Sequence, residues 1–277
     1  MIFYPQALTI NAFCSHLENH YNINYGETEI PFGEIASWAA RLSLENIANS
    51  DMLYHNLEHT VMVTSAGLSI LHGKQLIDGG VSPNDWLHCT LSMLFHDIGY
   101  RKGICRDDTN DTFVISDTGE TVSFPETTTD AVLSPYHVDR SKIFVHERFE
   151  QNMRNIDAGR IAEYIEKTRF PVPADEPPGD ANDLGTLTRA ADMVGQLGDP
   201  NYLTKIPALY YEFEELGWNK KFGYLRPGDL RREYANFYWE HANPHIKPVE
   251  HYLKATQEGR QWLANLHAHI FNVEHEI

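Results

Sequence analysis

The chain has 277 residues, of which 42% are hydrophobic and 12% aromatic, and this composition excludes extensive disorder and indicates a globular protein with a sizeable core. Its formal net charge is −17. Long nucleic acids are therefore excluded as partners, because binding to their phosphates depends on Lys and Arg. A small phosphorylated substrate remains compatible with this charge if a bound metal ion supplies positive charge locally.

Helical patterns dominate the first hundred residues. A helix is predicted over residues 34–45, where Ile35, Trp38 and Leu42 fall on one apolar stripe. A second helix is predicted from about residue 56 to residue 72, with its leucines facing inward.

The third helix has the clearest boundaries. Ser82 is a good N-cap, Pro83 takes the first helical position, and Asp85 lies three residues after the cap. Gly99 is placed to end the helix. One face carries four aliphatic residues, which are Leu87, Leu91, Leu94 and Ile98.

The rest of the chain continues this pattern with two interruptions. Further helices are predicted at 142–153, 159–167, 187–197, 207–216 and from 229 onward with a break near Asn243 and Pro244. Residues 113–124 predict a β-hairpin with a Gly-containing turn, and residues 171–185 an exposed loop. We therefore expect one all-α domain over 1–277, with a small β-hairpin insertion and a C-terminal helical extension at about 201–277.

Three cysteines, Cys14, Cys89 and Cys105, occur without a CxxC pair, which is typical of a reduced, cytoplasmic protein. The sequence contains neither an apolar run of about 18 residues nor a basic start followed by an apolar segment. We expect no membrane span and no secretory signal. Assembly into a homo-oligomer stays open.

Three helical segments place imidazole and carboxylate groups in apolar surroundings. His55 and His59 are four residues apart and share one helix face. His96 and Asp97 end an apolar helix, where a buried carboxylate is costly unless a positive group pairs with it, and Asp192 lies among Ala, Met and Val. Each piece alone is a weak signal, but their combination and order predict one shared divalent metal site with nitrogen and oxygen ligands.

The order H…HD…D resembles the HD superfamily of metal-dependent phosphohydrolases, a class of helical bundles named after the pair seen here as His96-Asp97. The resemblance spans roughly residues 35–200. It implies that His59, His96, Asp97 and Asp192 bind the metal, which could be Mn, Fe, Zn, Ni or Mg as one or two ions. It also implies hydrolysis of a phosphate ester, on a nucleotide or another small phosphorylated metabolite, by a metal-activated water, with Asp97 able to bridge a second ion.

The His55-Asn56-x-x-His59 segment is similar to the signature of class I cyclic-nucleotide phosphodiesterases. In that family the first histidine protonates the leaving alkoxide, which makes His55 the candidate general acid, favoured as imidazolium by a carboxylate such as Glu58 or Glu34. After the His-Asp pair, that family has Val-Asp-His-Pro where this chain has Ile-Gly-Tyr-Arg at 98–101. The substrate class therefore stays open.

Further site residues are candidates by their position in the sequence. His137 and His146 lie between the His-Asp pair and Asp192, where dinuclear HD proteins carry histidines for a second ion; either could equally be a surface histidine. Candidates for substrate binding are Arg140, Lys142, Arg189 and Gln196.

Two other functions fit the same residues. Myo-inositol oxygenase, a diiron oxygenase, shares the HD scaffold and uses two extra histidines. A non-catalytic nucleotide sensor would keep the metal, although a pure binder needs no acid such as His55. The hairpin at 113–124 is expected either to limit substrate size at the rim of the metal pocket or to pair with a neighbouring subunit.

Overall fold

The computed structural model describes residues 4–26, 28–150, 155–173 and 179–275. The predicted all-α fold with a small β-hairpin is confirmed. The helices are α1 Pro5–Tyr25, α2 Phe32–Ile47, α3 Leu57–Ile77, α4 Pro83–Phe95, α5 His137–Phe149, α6 Ala158–Glu166, α7 Leu184–Leu197, α8 Tyr202–Glu215, α9 Trp218–Phe222, α10 Pro227–Arg232, α11 Tyr234–Phe237, α12 Asn243–Ile246, α13 Glu250–Ala255 and α14 Gln257–Glu274. Single turns of 3₁₀ helix occupy Ile98–Tyr100 and Lys247–Val249, a longer one occupies Asp130–Tyr136, and Tyr238–Ala242 is π-helical.

Helix α4 is the centre of the core and begins as its sequence predicts. The Ser82 hydroxyl accepts from the Asp85 backbone N–H at 3.1 Å, and the Asp85 carboxylate accepts from the Ser82 N–H at 3.0 Å. Every residue from Trp86 to Phe95 is buried, so the expectation of a single apolar face was too narrow. Helices α2, α3, α6 and α7 pack around it.

Gly99 does not end α4, which already stops at Phe95, but it permits a close approach of α5. A Cβ atom at this position would lie 2.0 Å from the carbonyl oxygen of His137. The absence of a side chain therefore brings the start of α5 against the residues that follow the His-Asp pair.

The first two helices differ from what the sequence predicts. Helix α1 was not predicted, although its buried residues recur at helical spacing: Ile10, Phe13, Cys14, Leu17 and Tyr21. In α2 the predicted stripe was wrong, since Trp38 is 48% exposed. The buried side is instead made of small residues such as Ala36, Ala39 and Ala40, which let α1 pack closely.

The hairpin pairs strand β1, Thr112–Val114, antiparallel with strand β2, Thr121–Ser123. Phe113 on β1 is buried against Val132 and Leu133. The hairpin thus supports the 3₁₀ segment that leads directly into α5. The part of the predicted loop at 174–178 and the end of the predicted helix at 151–153 lie outside the described residues.

The second half of the chain joins the same core. The main hydrophobic cluster extends from Ile10 in α1 to Ile270 in α14. Helix α8 begins at Tyr202, before the predicted start, and contains Pro207 in its first turns. All three cysteines are buried and unpaired. Across the described ranges, no helix combines the length and the apolar character needed to cross a membrane.

Candidate metal centre

Three structural elements converge to form the centre. His59 lies in the first turn of α3, where the Asn56 side chain caps the helix by accepting from the backbone N–H of His59 at 3.4 Å. His96 and Asp97 follow the end of α4, and Asp192 projects from the middle of α7. Gly195, one turn after Asp192, permits a close approach of α3 and α7. A Cβ atom at this position would lie 2.4 Å from the Cα atom of Val63.

The four side chains face one another at short distances. Nε2 of His59 and Nε2 of His96 lie 3.2 and 3.1 Å from Oδ2 of Asp97. Oδ1 of Asp192 lies 3.8 Å from Nε2 of His59 and 3.5 Å from Nε2 of His96. Nitrogen and oxygen ligands about 2.1 Å from one ion, at angles of about 90 to 130°, are separated by about 3.0 to 3.8 Å. These spacings fit one divalent ion.

Two buried atoms at the centre have no hydrogen-bond partner among the described residues: Nε2 of His96 and Oδ2 of Asp97. The Nδ1–H of His96 donates to the carbonyl oxygen of Met93 at 2.8 Å, so the hydrogen bonding assigns a free lone pair to Nε2. A buried lone pair beside a buried carboxylate oxygen is stable only if a proton or a metal cation lies between them. The chemistry of this donor set therefore fits a metal ion.

Electrostatics supports the same conclusion. Burial alone would raise the pKa of Asp97, but His96 and His59 outweigh it and hold that pKa well below its usual range. Burial alone would lower the pKa of His96, but Asp97 and Asp192 raise it well above its usual range. The two carboxylates thus favour a positive charge between them, which a metal ion provides in place of a proton.

His137, the first residue of α5, faces the other oxygen of Asp97. Its Nε2 lies 3.8 Å from Oδ1 of Asp97, while its Nδ1–H donates to the carbonyl oxygen of Ser134 at 2.6 Å. Asp97 therefore presents one oxygen to His59 and His96 and the other to His137. If a second ion is present, His137 and Oδ1 of Asp97 are the atoms on this side that could hold it.

His146 does not lie at the centre, which corrects its assignment to a second metal. It lies nine positions after His137 in α5. A rotation of about 100° per residue therefore places it on the opposite side of the helix. Its side chain is 42% exposed and lies 3.9 Å from Glu150.

Most of the predicted substrate-binding side chains are engaged elsewhere. Arg140 is completely buried and ion-paired with Asp108 at 2.8 Å, so its assignment to substrate binding is wrong. Lys142 pairs with Glu166 at 2.6 Å. Arg189 is buried and donates to the carbonyl oxygen of Lys167 at 2.5 Å, and the amide of Gln196 lies 3.5 Å from the hydroxyl of Tyr202.

His55 has a partner that sequence reasoning missed. Its Nδ1 lies 2.6 Å from Oε2 of Glu212, a residue of α8 whose side chain is only 3% exposed. The other oxygen of Glu212 accepts from the backbone N–H groups of Tyr54 at 2.6 Å and His55 at 3.2 Å. Burial would lower the pKa of His55, but Glu212 outweighs burial and raises it. Neither Glu58 nor Glu34 takes this role; Glu58 pairs with Lys205 at 2.8 Å.

No local signal marks Glu212, because it is 157 residues away from His55. Its only trace in the sequence is a carboxylate inside an aromatic run, at residues 210–213.

Tyr100 stands between the two histidines that flank the centre. Its ring is stacked on His55, with centroids 4.8 Å apart and planes at 24°, and on His137, with centroids 4.2 Å apart and planes at 8°. Tyr100 is buried in the 3₁₀ turn directly after the His-Asp pair.

The fold and the centre define an all-α protein with two overlapping groups of side chains able to hold a metal ion, each with its ligand atoms within 4.8 Å of one another: His55, His59 and Asp97, and His59, His96 and Asp192. A family model described as Npun_R2479-like matches residues 3–276, and the chain belongs to this Npun_R2479-like family. Comparison with curated proteins and with solved structures gives no match.

Proposed function

We propose that the protein is a metal-dependent phosphohydrolase of the HD type, which hydrolyses a phosphate ester of a nucleotide or another small phosphorylated metabolite. The observation that supports this most strongly is the convergence of His59, His96, Asp97 and Asp192 around two buried polar atoms without partners. The order of these residues along the chain is the one that the HD resemblance requires.

In this proposal the four side chains hold a divalent ion, and Mn, Fe, Zn, Ni or Mg all suit mixed nitrogen and oxygen ligands to some degree. When bound, such an ion supplies a nucleophile at neutral pH by lowering the pKa of water from about 16 to about 7. The side chains of His55, His137 and Asp192 remain 16%, 16% and 23% exposed. A small substrate reaches the centre from this side.

His55 is proposed to donate the proton that the leaving oxygen needs. Because Glu212 occupies Nδ1, the nitrogen left for the substrate is Nε2. The buried carboxylate stabilises the imidazolium form, which is the form able to donate. As the bond from phosphorus to the leaving oxygen breaks, the proton passes from His55 to that oxygen, and the bond from phosphorus to the water oxygen forms.

Oxygenation at a pair of irons is a second candidate, favoured by the position of His137 beside the second oxygen of Asp97. The displacement of His146 to the far side of α5 argues against it, because that reaction uses two extra histidines. A non-catalytic sensor is disfavoured by the buried Glu212–His55 pair, since binding alone needs no proton donor.

The test combines metal analysis of the purified protein with a substrate panel. Protein reconstituted with each of the five metals is assayed on phosphomonoesters, phosphodiesters and nucleotides, and oxygen uptake is followed with polyols. Metal-dependent hydrolysis that disappears in Asp192→Asn supports the proposal. Oxygen uptake without hydrolysis would establish the oxygenase, and bound metal with neither activity would overturn both enzymatic functions.

A further inference from the structure

We propose that Tyr100 is a positioning residue whose ring acts as a spacer between His55 and His137, so that the two imidazoles keep different roles. The inference rests on the proposed function for the role of His55. It goes beyond that function in assigning a task to a residue that contributes neither a metal ligand nor a proton.

The two imidazoles lie on opposite faces of the Tyr100 ring. Both are nearly parallel to the phenol ring at centroid distances of 4.8 and 4.2 Å, and one face has no room for two stacked rings. Ligand atoms of one ion lie within about 4.4 Å of each other, twice the ligand distance. With the aromatic ring between them, His55 and His137 cannot bind the same ion.

Each imidazole is held at its other side by a separate partner. His55 is bound by Glu212 at 2.6 Å, and His137 donates to the carbonyl oxygen of Ser134 at 2.6 Å. The spacer therefore divides the open side of the centre into a proton-donor half and a half that faces Oδ1 of Asp97.

The backbone hydrogen bond of Tyr100 and the packing around it fix the position of its ring. The N–H of Tyr100 donates to the carbonyl oxygen of Asp97 at 3.1 Å, and the adjacent Gly99 is pressed against the start of α5. The ring also packs against the buried side chains of Met52 and Ala131. Tyr100 is thus fixed relative to both the His-Asp pair and His137.

The test compares variants that keep the ring with variants that remove it. Tyr100→Phe keeps the stacked ring, whereas Tyr100→Leu and Tyr100→Met replace it with an aliphatic side chain. Two ring-less variants are used so that the test survives if one of them does not fold. Tyr21→Leu, which removes a buried tyrosine from α1, is the control for general loss of packing.

The first measurement needs no substrate. Co²⁺ alone is titrated into each protein, and its ligand-field absorption, which depends on the ligands and the coordination number, is recorded. We expect the spectrum of Tyr100→Phe and of Tyr21→Leu to match the wild type. Tyr100→Leu and Tyr100→Met should show an altered spectrum or stoichiometry, because either imidazole is then free to move.

The second measurement compares two aryl phosphate esters, one with a nitrophenolate leaving group and one with a leaving group that needs a proton. In the variants without the ring, turnover of the second ester should fall at least about 10-fold more than that of the first, because the proton donor is displaced. An unchanged Co²⁺ spectrum in both ring-less variants, or a Tyr100→Phe variant that behaves like them, would overturn the proposal. Absence of hydrolysis by the wild type would refute the proposed function, while the Co²⁺ titration would still decide the spacer.

Discussion

Arg140→Lys tests the buried hydrogen bonds of Arg140 while keeping the positive charge. The guanidinium of Arg140 makes five hydrogen bonds: to the carbonyl oxygens of Gly99 at 2.8 Å, Val114 at 2.6 Å and Arg101 at 2.9 Å, and to the two carboxylate oxygens of Asp108 at 3.0 and 2.8 Å. A lysine ammonium has three donors, so at least two of these five hydrogen bonds are lost. The loss of a buried hydrogen bond to Arg140 costs about 1 to 3 kcal/mol.

The expected result is a free energy of unfolding lower by about 2 to 6 kcal/mol, measured by urea denaturation monitored by circular dichroism. The matched control is Arg148→Lys, an exposed arginine of the same helix, which should change the free energy by less than about 0.5 kcal/mol. If the free energy of unfolding of Arg140→Lys lies as close to the wild-type value as that of Arg148→Lys does, the hydrogen bonds of Arg140 do not stabilise this region.

The same variant should also weaken metal binding, because Arg140 and its neighbour fasten the residues after the His-Asp pair to α5. The Ser141 hydroxyl donates to the carbonyl oxygen of His96 at 2.7 Å and accepts from the N–H of Gly99 at 2.9 Å. Loosening this contact should displace Asp97 relative to His137. A Zn²⁺ affinity equal to that of Arg148→Lys would contradict this link.

Three further predictions concern separate parts of the molecule. Asp97→Asn should abolish the rise in melting temperature that divalent ions produce in the wild type, since the lost carboxylate faces both ligand histidines; a retained rise would refute its role as a ligand. Glu212→Gln should retain the metal but lower turnover of esters with poor leaving groups by about 10²-fold or more, because the amide does not stabilise imidazolium at His55, and an equal loss with nitrophenolate esters would refute this. Burial lowers the pKa of His20 from 6.5 to about 4, so as pH falls the unfolded chain is protonated at His20 before the folded protein is. The free energy of unfolding should therefore fall more in the wild type than in His20→Gln between pH 6.5 and pH 4. Equal decreases in the two proteins would refute this prediction.

Local signals predicted what local interactions determine. The start of α4 follows from the cap at Ser82 and from Pro83, both of which act within one turn. The hairpin follows from alternating residues around Gly119. The shared metal site was predicted from the order of the histidines and aspartates along the chain, and the resemblance to the HD superfamily named its four candidate ligands.

Other features depend on packing between distant segments and left little trace in the sequence. Trp38 looked like a core residue by hydrophobicity, but the close approach of α1 favours the small side chains on the other face of α2. Arg140 was a candidate for substrate binding because the sequence does not show that it is buried. Its burial depends on the ion pair with Asp108 and on the hairpin. His146 was a candidate by sequence position alone, and its helical phase relative to His137 places it on the other side of α5.

The proposed metal ligands and the residue that sets the pKa of His55 come from different parts of the chain. All four proposed metal ligands lie between residues 59 and 192, whereas the side chain that tunes His55 comes from the C-terminal region. Substitutions in α8 can therefore change the acidity of the proposed proton donor while every metal ligand stays in place. Under the proposed function, a substitution at residue 212 alters the proton donor without altering any side chain of the proposed metal centre.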